Sequence, residues 1–215
     1  MSPNMGIATT LEDLLVELGG IAACRVRLDP APGQATLADL LAVNESSERG
    51  LFELIDGSLV EKAMSFEASV VALAIARILG MFVSKHRLGL VSGADGFFRL
   101  LSSTRGPDVA FLARERLPGG TFPTQPFPQL APNLVVEVLS PGNTKAEMAR
   151  KRLEYFHSGV QIVWIVDCTN RSVAIYTSTS NVKVVSQEES INGGDAIPGF
   201  TSTVADFFVD LDIGR

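Results

Sequence analysis

Two carboxylate residues stand in segments whose other residues predict buried strands. Asp108 follows Pro107 and opens the apolar run VAFLA at 109–113, and Glu137 lies within the apolar run LVVEVL at 134–139. A buried charge is costly unless it has a partner. Since carboxylate oxygens suit Mg²⁺, we expect one divalent cation, Mg²⁺ or Mn²⁺, to be held by both residues together with water. Asp108 and Glu137 are therefore the candidate metal ligands.

A cation held in this way predicts phosphate chemistry. It would polarise a phosphoryl group and lower the pKa of an attacking water, while a nearby lysine positions that water or balances charge. Lys151, on the helix predicted after Glu137, is the candidate lysine. The alternative for Asp108 is a carboxylate that caps backbone amides at the end of a strand. The alternative for Lys151 is a solvated surface lysine.

Helical periodicity favours the solvated interpretation of Lys151. A capping box from Thr144 to Glu147 predicts a helix that runs to Ser158. On that helix Lys151 falls opposite the apolar stripe, which consists of Ala149, Leu153, Phe156 and Val160. If Lys151 is solvated, Lys145 or Arg152 becomes the candidate. If Lys151 acts only in the transition state, its removal should leave the stability of the fold unchanged.

The elements around these residues follow the order αβββαβ. Ser65 predicts the start of a helix from Phe66 to about Lys85, which is apolar nearly all round and so is expected to be buried on more than one side. The later helix should join two parallel strands as a crossover. Strands are predicted at 88–92, 96–101, 108–113, 133–139 and 161–167, with hairpins at 51–61 and 171–186 and a short helix near 204–208. We expect an α/β (α+β) fold, with a mixed sheet flanked by helices.

The apolar runs and glycine helix stops in residues 1–50 predict an N-terminal helical extension, with short helices at 11–18 and 36–43. We expect residues 51–215 to form a single globular unit. The two cysteines show neither a disulfide pattern nor a thiolate metal spacing. The N-terminus lacks the pattern of a signal peptide, and the apolar run at 70–83 is too short to span a bilayer. We therefore expect a cytoplasmic protein without a membrane partner.

The net charge of −6 argues against a protein that coats nucleic acid by bulk charge. The basic residues are nevertheless clustered, on the helix after Glu137 and around the Asp108 strand. A local basic groove is one interpretation, and a solvated helix face with ordinary charges at strand ends is the other. The candidate contacts for nucleic acid are Lys145, Arg152 and Arg105. The sequence has no P-loop, GxGxxG, HExxH or GxSxG motif that would indicate another catalytic class.

Several short motifs together resemble the PD-(D/E)XK nuclease superfamily, and more closely its Uma-type family of bacterial restriction-type endonucleases. The similarity extends from about residue 51 to residue 209. Its motifs are ELIDG at 53–57, GADGFFRL at 93–100, PDVAF at 107–111, VVEVLSP at 135–141, Lys151 with Tyr155, GV at 159–160, VWIVD at 163–167 and PGF at 198–200. The combination is specific, whereas any one motif alone is weak.

The resemblance implies a restriction-endonuclease-like core, a DNA substrate, and metal ligation by Asp108 and Glu137. The usual lysine position of the superfamily, two residues after the glutamate, holds Leu139. The Uma-type family resembles a variant whose lysine comes from the following helix, and Lys151 occupies the matching place. A further acidic ligand often stands at the start of the first helix in related nucleases, which implies Glu67 here. Many family members have a histidine near that point, where this chain has Ala68.

Three functions remain open. The leading hypothesis is a Mg²⁺-dependent DNA endonuclease in which Asp108 and Glu137 hold the metal and Lys151 stabilises negative charge. The second is a non-catalytic binding or interaction module, which the net acidity and Leu139 favour. The third is a hydrolase of another phosphate ester. We also expect a homodimer, because a second copy of the chain would cover the apolar first helix of the core.

Overall fold

The computed structural model describes residues 9–47 and 50–214, so parts of the predicted N-terminal extension, at 1–8 and 48–49, lie outside the described residues. The helices are α1 (Leu11–Glu17), α2 (Leu37–Glu45), α3 (Phe66–His86) and α4 (Lys145–His157). The strands are β1 (Phe52–Ile55), β2 (Ser58–Glu61), β3 (Gly89–Ser92), β4 (Phe98–Arg99), β5 (Ser103–Arg105), β6 (Val109–Ala113), β7 (Leu134–Val138), β8 (Ile162–Asp167), β9 (Ser172–Tyr176), β10 (Val182–Ser186), β11 (Ser190–Gly193) and β12 (Ile197–Thr203).

A six-stranded mixed sheet lies at the centre of the fold, in the order β10-β9-β8-β7-β6-β3. β7 and β8 are parallel, and α4 is the crossover between them, which confirms the predicted connection. The remaining neighbours in this sheet pair antiparallel. β7, the strand that carries Glu137, is therefore central and has a hydrogen-bonded strand on each side.

α3 and α4 cover opposite faces of this sheet. Val136 and Val138 of β7 belong to the hydrophobic core under α3. Val135 belongs to a second core that includes Tyr155 of α4. Because successive residues of a strand point to opposite faces, Glu137 shares the α4 face with Val135. The alternation along β7 thus directs a carboxylate toward the helix that carries Lys151.

A smaller sheet, ordered β2-β1-β5-β4, contains the predicted 51–61 hairpin. Its turn is made by Asp56 and Gly57, with φ of 47° and 72°, and positive values at both central residues suit a tight hairpin turn. The predicted strand at 96–101 is only partly formed, as the short β4, and the chain turns there to add β5. α1 and α2 pack on this hairpin, since Leu18 contacts a core with Ile55 and Leu40 lies in another with Phe52 and Leu59.

α4 buries charged side chains, so the predicted helical wheel was wrong for Lys151 and Leu153, although Phe156 and Val160 of the predicted stripe do pack in the core. The buried residues are Glu147, Met148, Lys151, Glu154 and Tyr155, whereas Leu153 of the predicted apolar stripe is 43% exposed. The reason is that α4 meets the smaller sheet through ion pairs. Lys151 contacts Glu53 of β1, Glu154 contacts Arg105 of β5, and Arg150 contacts Asp56 in the hairpin turn.

α3 begins where the sequence predicted, with Ser65 accepting a hydrogen bond from the Ala68 N–H. It is buried on the side facing the sheet, but Phe66, Leu73 and Met81 are 88%, 69% and 71% exposed, so the prediction of burial on more than one side was wrong. By length and composition alone, Phe66–His86 is long and apolar enough to cross a membrane, which the shorter predicted run was not. A core helix also meets that test, and the buried residues of α3 form part of the core.

Candidate active site

Asp108 and Glu137 are brought together by the register of β6 and β7. Val109 pairs with Val136 in this antiparallel ladder. Asp108 directly precedes β6, and its carboxylate accepts from the backbone amide of Val138, the neighbour of Glu137, so that the charge of Asp108 acts on Glu137. Glu137 faces α4, as Val135 does, whereas Asp108 lies at the end of the ladder and also lines a groove along α3.

Asp108 is held by a backbone amide and by a lysine. Val138 N donates to Asp108 Oδ2 at 2.8 Å, and Lys62 Nζ donates to Oδ1 at 3.3 Å. The bond to Val138 is the amide cap considered for this residue as an alternative. It occupies one carboxylate oxygen, and the Asp108 side chain remains 18% exposed. Asp108 is thus both anchored and accessible from the surface.

Glu137 is more deeply buried, with a side chain that is 5% exposed. Lys151 Nζ donates to its Oε2 at 2.9 Å, and the Tyr155 hydroxyl donates to its Oε1 at 2.5 Å. Burial raises the pKa of Glu137, Lys151 opposes this rise, and the neighbouring charge of Asp108 adds to it, so that the pKa lies above its ordinary value. Lys151 and Lys62 offset part of the repulsion between the two carboxylates.

Lys151 lies between two carboxylates and is not solvated. Its Nζ is 2.9 Å from Glu137 and 3.5 Å from Glu53 Oε1, and its side chain is 4% exposed. Burial lowers the pKa of Lys151, but Glu137 and Glu53 outweigh burial and raise the pKa above its ordinary value. The ammonium therefore remains protonated at neutral pH. The buried, charged face of α4 places Lys151 beside the two predicted metal ligands.

Glu53 is a member of the site that sequence reasoning missed. It lies on β1 with a side chain that is 1% exposed, and it accepts from Arg105 Nη1 at 2.8 Å and from Gly106 N at 3.2 Å. Burial raises the pKa of Glu53, but Lys151, Arg105 and Lys62 together lower the pKa to about 2. The signal was present in the sequence, because FELI at 52–55 is an apolar strand with a carboxylate inside it, like the strand of Glu137.

Lys62 is a second residue that the sequence did not single out. It follows β2, its side chain is 2% exposed, and its Nζ donates to Gly106 O at 2.5 Å, to Ala94 O at 3.3 Å and to Asp108. It thus connects the end of the hairpin to two loops and to a candidate metal ligand. Nothing in its sequence position distinguished it, because a lysine after a hairpin strand is usually solvated.

The predicted nucleic-acid contacts occupy different environments. Arg105 Nη1 donates to Glu53 and Nε to Glu154 Oε2 at 2.7 Å, and because its side chain is 1% exposed the guanidinium is not accessible to a phosphate. Its role is to hold β5 against β1 and α4. Arg152 stacks over the Tyr176 ring at 4.2 Å from the centroid and donates to Thr179 O. Lys145 is exposed at the first residue of α4.

Glu67, the further acidic ligand implied by the resemblance, is exposed in the first turn of α3. The structure does not place it in a ligand group with Asp108 and Glu137. Its charge acts instead near Cys168, where burial raises the pKa of the thiol to about 11 and the Glu67 carboxylate adds to the rise. Glu67 is also near Arg171, whose pKa it helps to raise.

The donors at the site define which metal ion it fits. Across residues 9–47 and 50–214, no three His, Cys, Asp or Glu side chains are grouped so that they could hold a metal ion. The two carboxylates, Asp108 and Glu137, offer oxygen only. Mg²⁺ is commonly bound through one or two carboxylates, with water and phosphate oxygens completing its shell. The residues present therefore fit a hard cation of this kind and do not form an all-protein cage.

The mixed sheet flanked by helices, with a crossover helix between two parallel strands, is a restriction-endonuclease-like fold. The Uma2 family, described as "Putative restriction endonuclease", matches residues 22–205, and the chain belongs to this family. Among solved structures, it is similar to a protein of Anabaena variabilis described as a "putative nuclease belonging to DUF820". The two share 17% sequence identity with a TM-score of 0.68, over 78% of this chain and 94% of the other. No curated protein matches the chain. The predicted family and fold are thereby confirmed.

Proposed function

We propose that this chain is a metal-dependent nuclease that hydrolyses DNA phosphodiester bonds, with Mg²⁺ or Mn²⁺ held by Asp108 and Glu137. The observation that carries the proposal is the proximity of these two carboxylates, since Asp108 accepts from the Val138 amide next to Glu137, with Lys151 Nζ 2.9 Å from Glu137. Membership of the restriction-endonuclease family and the nuclease-like fold support it.

In the proposed hydrolysis, each residue of the site has a separate role. Asp108 is accessible, and its direction is fixed by the Val138 amide and by Lys62. Tyr155 fixes Glu137 by its hydroxyl. Lys151 is a protonated ammonium beside Glu137 and Glu53, and its proposed role is to stabilise the negative charge that develops during hydrolysis. A bound cation supplies polarisation of the phosphoryl group and a lower pKa for water.

The surface that leads DNA to this site is proposed on α4. Lys145 is exposed at its start, and Arg152 is half-buried on the side that carries Tyr176. Positive groups near phosphates add salt-dependent affinity. Arg105 and Glu67 have no role in the proposal, because Arg105 is buried between carboxylates and, among the described residues, Glu67 does not form a three-residue ligand group with Asp108 and Glu137.

A cleavage assay tests the proposal. The purified protein is incubated with DNA, as supercoiled plasmid and as oligonucleotide, in Mg²⁺ or Mn²⁺ and in a chelator. Asp108→Asn removes one ligand and keeps the size of the side chain, and Asp195→Asn is the matched control at an exposed turn. We expect metal-dependent cleavage by wild type and by the control, and none by Asp108→Asn. Equal cleavage by all three proteins would mean a contaminating nuclease and would contradict the proposal.

One observation favours the second candidate, a non-catalytic binding module. Both oxygens of Asp108 and both oxygens of Glu137 already accept hydrogen bonds inside the protein. A site neutralised by its own lysines needs no cation to be stable. Under this alternative, wild type and Asp108→Asn bind DNA with equal affinity and neither cleaves it with any divalent metal ion.

A further inference from the structure

A groove of about 270 Å³ runs from the site along α3. It lies between the first half of α3, the connection from β2, and the loop after β3. Its lining residues are Ala63, Met64, Ser65, Ala68, Ser69, Ala72, Leu73, Ala76, Gly93, Ala94, Asp108 and Ser140. The groove therefore has a candidate metal ligand as part of its wall, and whatever occupies it lies next to the proposed metal site.

Most of the residues that line the groove are apolar, and none of them carries a positive charge. Asp108 is the only charged residue in the lining of this groove among the described residues. Leu73 and Met64 line it and are 69% and 55% exposed, so two large apolar side chains are in water at the groove. A duplex is bound mainly through its phosphates, which need Lys or Arg side chains. This wall instead suits the uncharged part of a nucleotide.

We infer that the groove receives an unpaired nucleobase, so that the substrate is single-stranded DNA or an unpaired region of DNA. The inference rests on the proposed function and names its substrate class. Proteins that bind single strands combine positive groups that follow the backbone with side chains on which bases stack, and an unpaired base can leave its own stack to lie on such a surface.

The size and polar groups of the groove agree with this occupant. Pockets for drug-sized ligands start near 300 Å³, so a groove of about 270 Å³ accommodates a single base and its sugar, not a base pair. Ser69 and Ser140 supply hydroxyls, which both donate and accept, to the polar edge of a base without selecting one base strictly. A sequence-tolerant preference for unpaired nucleotides follows.

The alternative occupant of the groove and of the exposed face of α3 is a second copy of this chain. The exposed face of α3 continues beyond the groove to Met81, which is 71% exposed and does not line it. A contact between two copies along α3 would use Leu73 and Met81 alike. A base in the groove would use Leu73 alone. These two side chains therefore separate the two occupants.

The experiment compares cleavage of one oligonucleotide as a single strand and annealed to its complement, in Mn²⁺, by wild type, Leu73→Glu and the matched control Met81→Glu. Both substitutions are at exposed sites, and thermal unfolding checks that both variants remain folded. We expect wild type to cleave the single strand at least about tenfold faster than the duplex. Leu73→Glu should raise KM for the single strand about tenfold with little change in kcat, and Met81→Glu should behave as wild type.

The results of this experiment test the inference about the groove separately from the proposed nuclease function. Cleavage of the duplex at the same rate as the single strand overturns the inference and leaves the nuclease proposal intact. Equal losses in Leu73→Glu and Met81→Glu, together with a change from dimer to monomer in sedimentation, assign the face to a second copy and also overturn the inference. Absence of cleavage of both substrates by wild type overturns the inference and the proposed function together.

Discussion

Lys151 Nζ lies 2.9 Å from Glu137 Oε2, in a pair whose side chains are 4% and 5% exposed. A lysine and a carboxylate that are both removed from water depend on each other, because either charge left alone is strongly disfavoured. Glu53 shares the same ammonium at 3.5 Å. The residue proposed to stabilise charge on the substrate is thus also part of the protein's internal ion-pair network.

Replacement of Lys151 should lower stability as well as activity. Lys151→Ala leaves Glu137 and Glu53 without their shared ammonium, and we expect a loss of about 3 to 5 kcal/mol in the free energy of unfolding. Chemical denaturation measures it, with Lys145→Ala, at an exposed position of the same helix, as the control. This replaces the sequence-based expectation that the lysine contributes little to folding. A stability equal to wild type would contradict the ion pair seen here.

Glu53 should make stability depend on acidic pH. Its pKa is lowered to about 2 in the folded protein, against 4.5 for an unperturbed glutamate. A depressed pKa means that the stabilisation is fully present above the unfolded value, and is lost as pH falls from 4.5 toward about 2. Glu53→Gln should therefore flatten the fall in unfolding free energy across this window, as measured by urea titrations. Glu12→Gln, on the exposed side of α1, should retain the wild-type slope; an unaltered slope in Glu53→Gln would refute the assignment.

Lys62 should affect catalysis through Asp108. Lys62→Met keeps an unbranched chain of similar length but removes the ammonium that contacts Asp108 Oδ1 and the Gly106 carbonyl. Since a small misplacement of a ligand reduces the rate strongly, we expect kcat to fall about 10- to 100-fold with KM close to wild type. Lys85→Met, in the exposed last turn of α3, is the control in the same steady-state assay. A kcat equal to wild type would show that Lys62 does not position Asp108.

Tyr155 should contribute through its hydroxyl alone. Tyr155→Phe keeps the packing of the ring and removes the hydrogen bond to Glu137 Oε1. A hydrogen bond to a charged group contributes about 1.5 to 3 kcal/mol, so the free energy of unfolding should fall by about that amount. Tyr176→Phe, a half-buried tyrosine on β9, provides the comparison. Equal stability of the two variants would mean that the Tyr155 hydroxyl is not needed at Glu137.

The parts of the fold that could be predicted depend on local patterns. The 51–61 hairpin, the caps of α3 and α4 and the parallel pair β7 and β8 follow from turn residues, capping boxes and apolar runs. Glu137 was proposed as a site residue because a carboxylate among valines in a strand is unusual. Asp108 was proposed because it follows a proline at a strand start.

The rest of the site could not be predicted because it depends on contacts between distant segments. Periodicity assumes that the apolar face of a helix is the buried one. In α4 the buried face is charged because β1 and β5 present Glu53 and Arg105 to it. β5 itself was not predicted, so the sequence did not indicate that Arg105 would pair with Glu154. Lys62 is recognisable only once the loops at Ala94 and Gly106 are seen to meet.

Titration calorimetry with Mn²⁺ tests most directly the claim that Asp108 and Glu137 form one cation site. Wild type, Glu137→Gln and Glu67→Gln are compared, each checked for folding by circular dichroism. The account predicts one Mn²⁺ bound per chain in wild type and in Glu67→Gln, with affinity lost or reduced at least about tenfold in Glu137→Gln. Equal Mn²⁺ affinity in wild type and Glu137→Gln would contradict it.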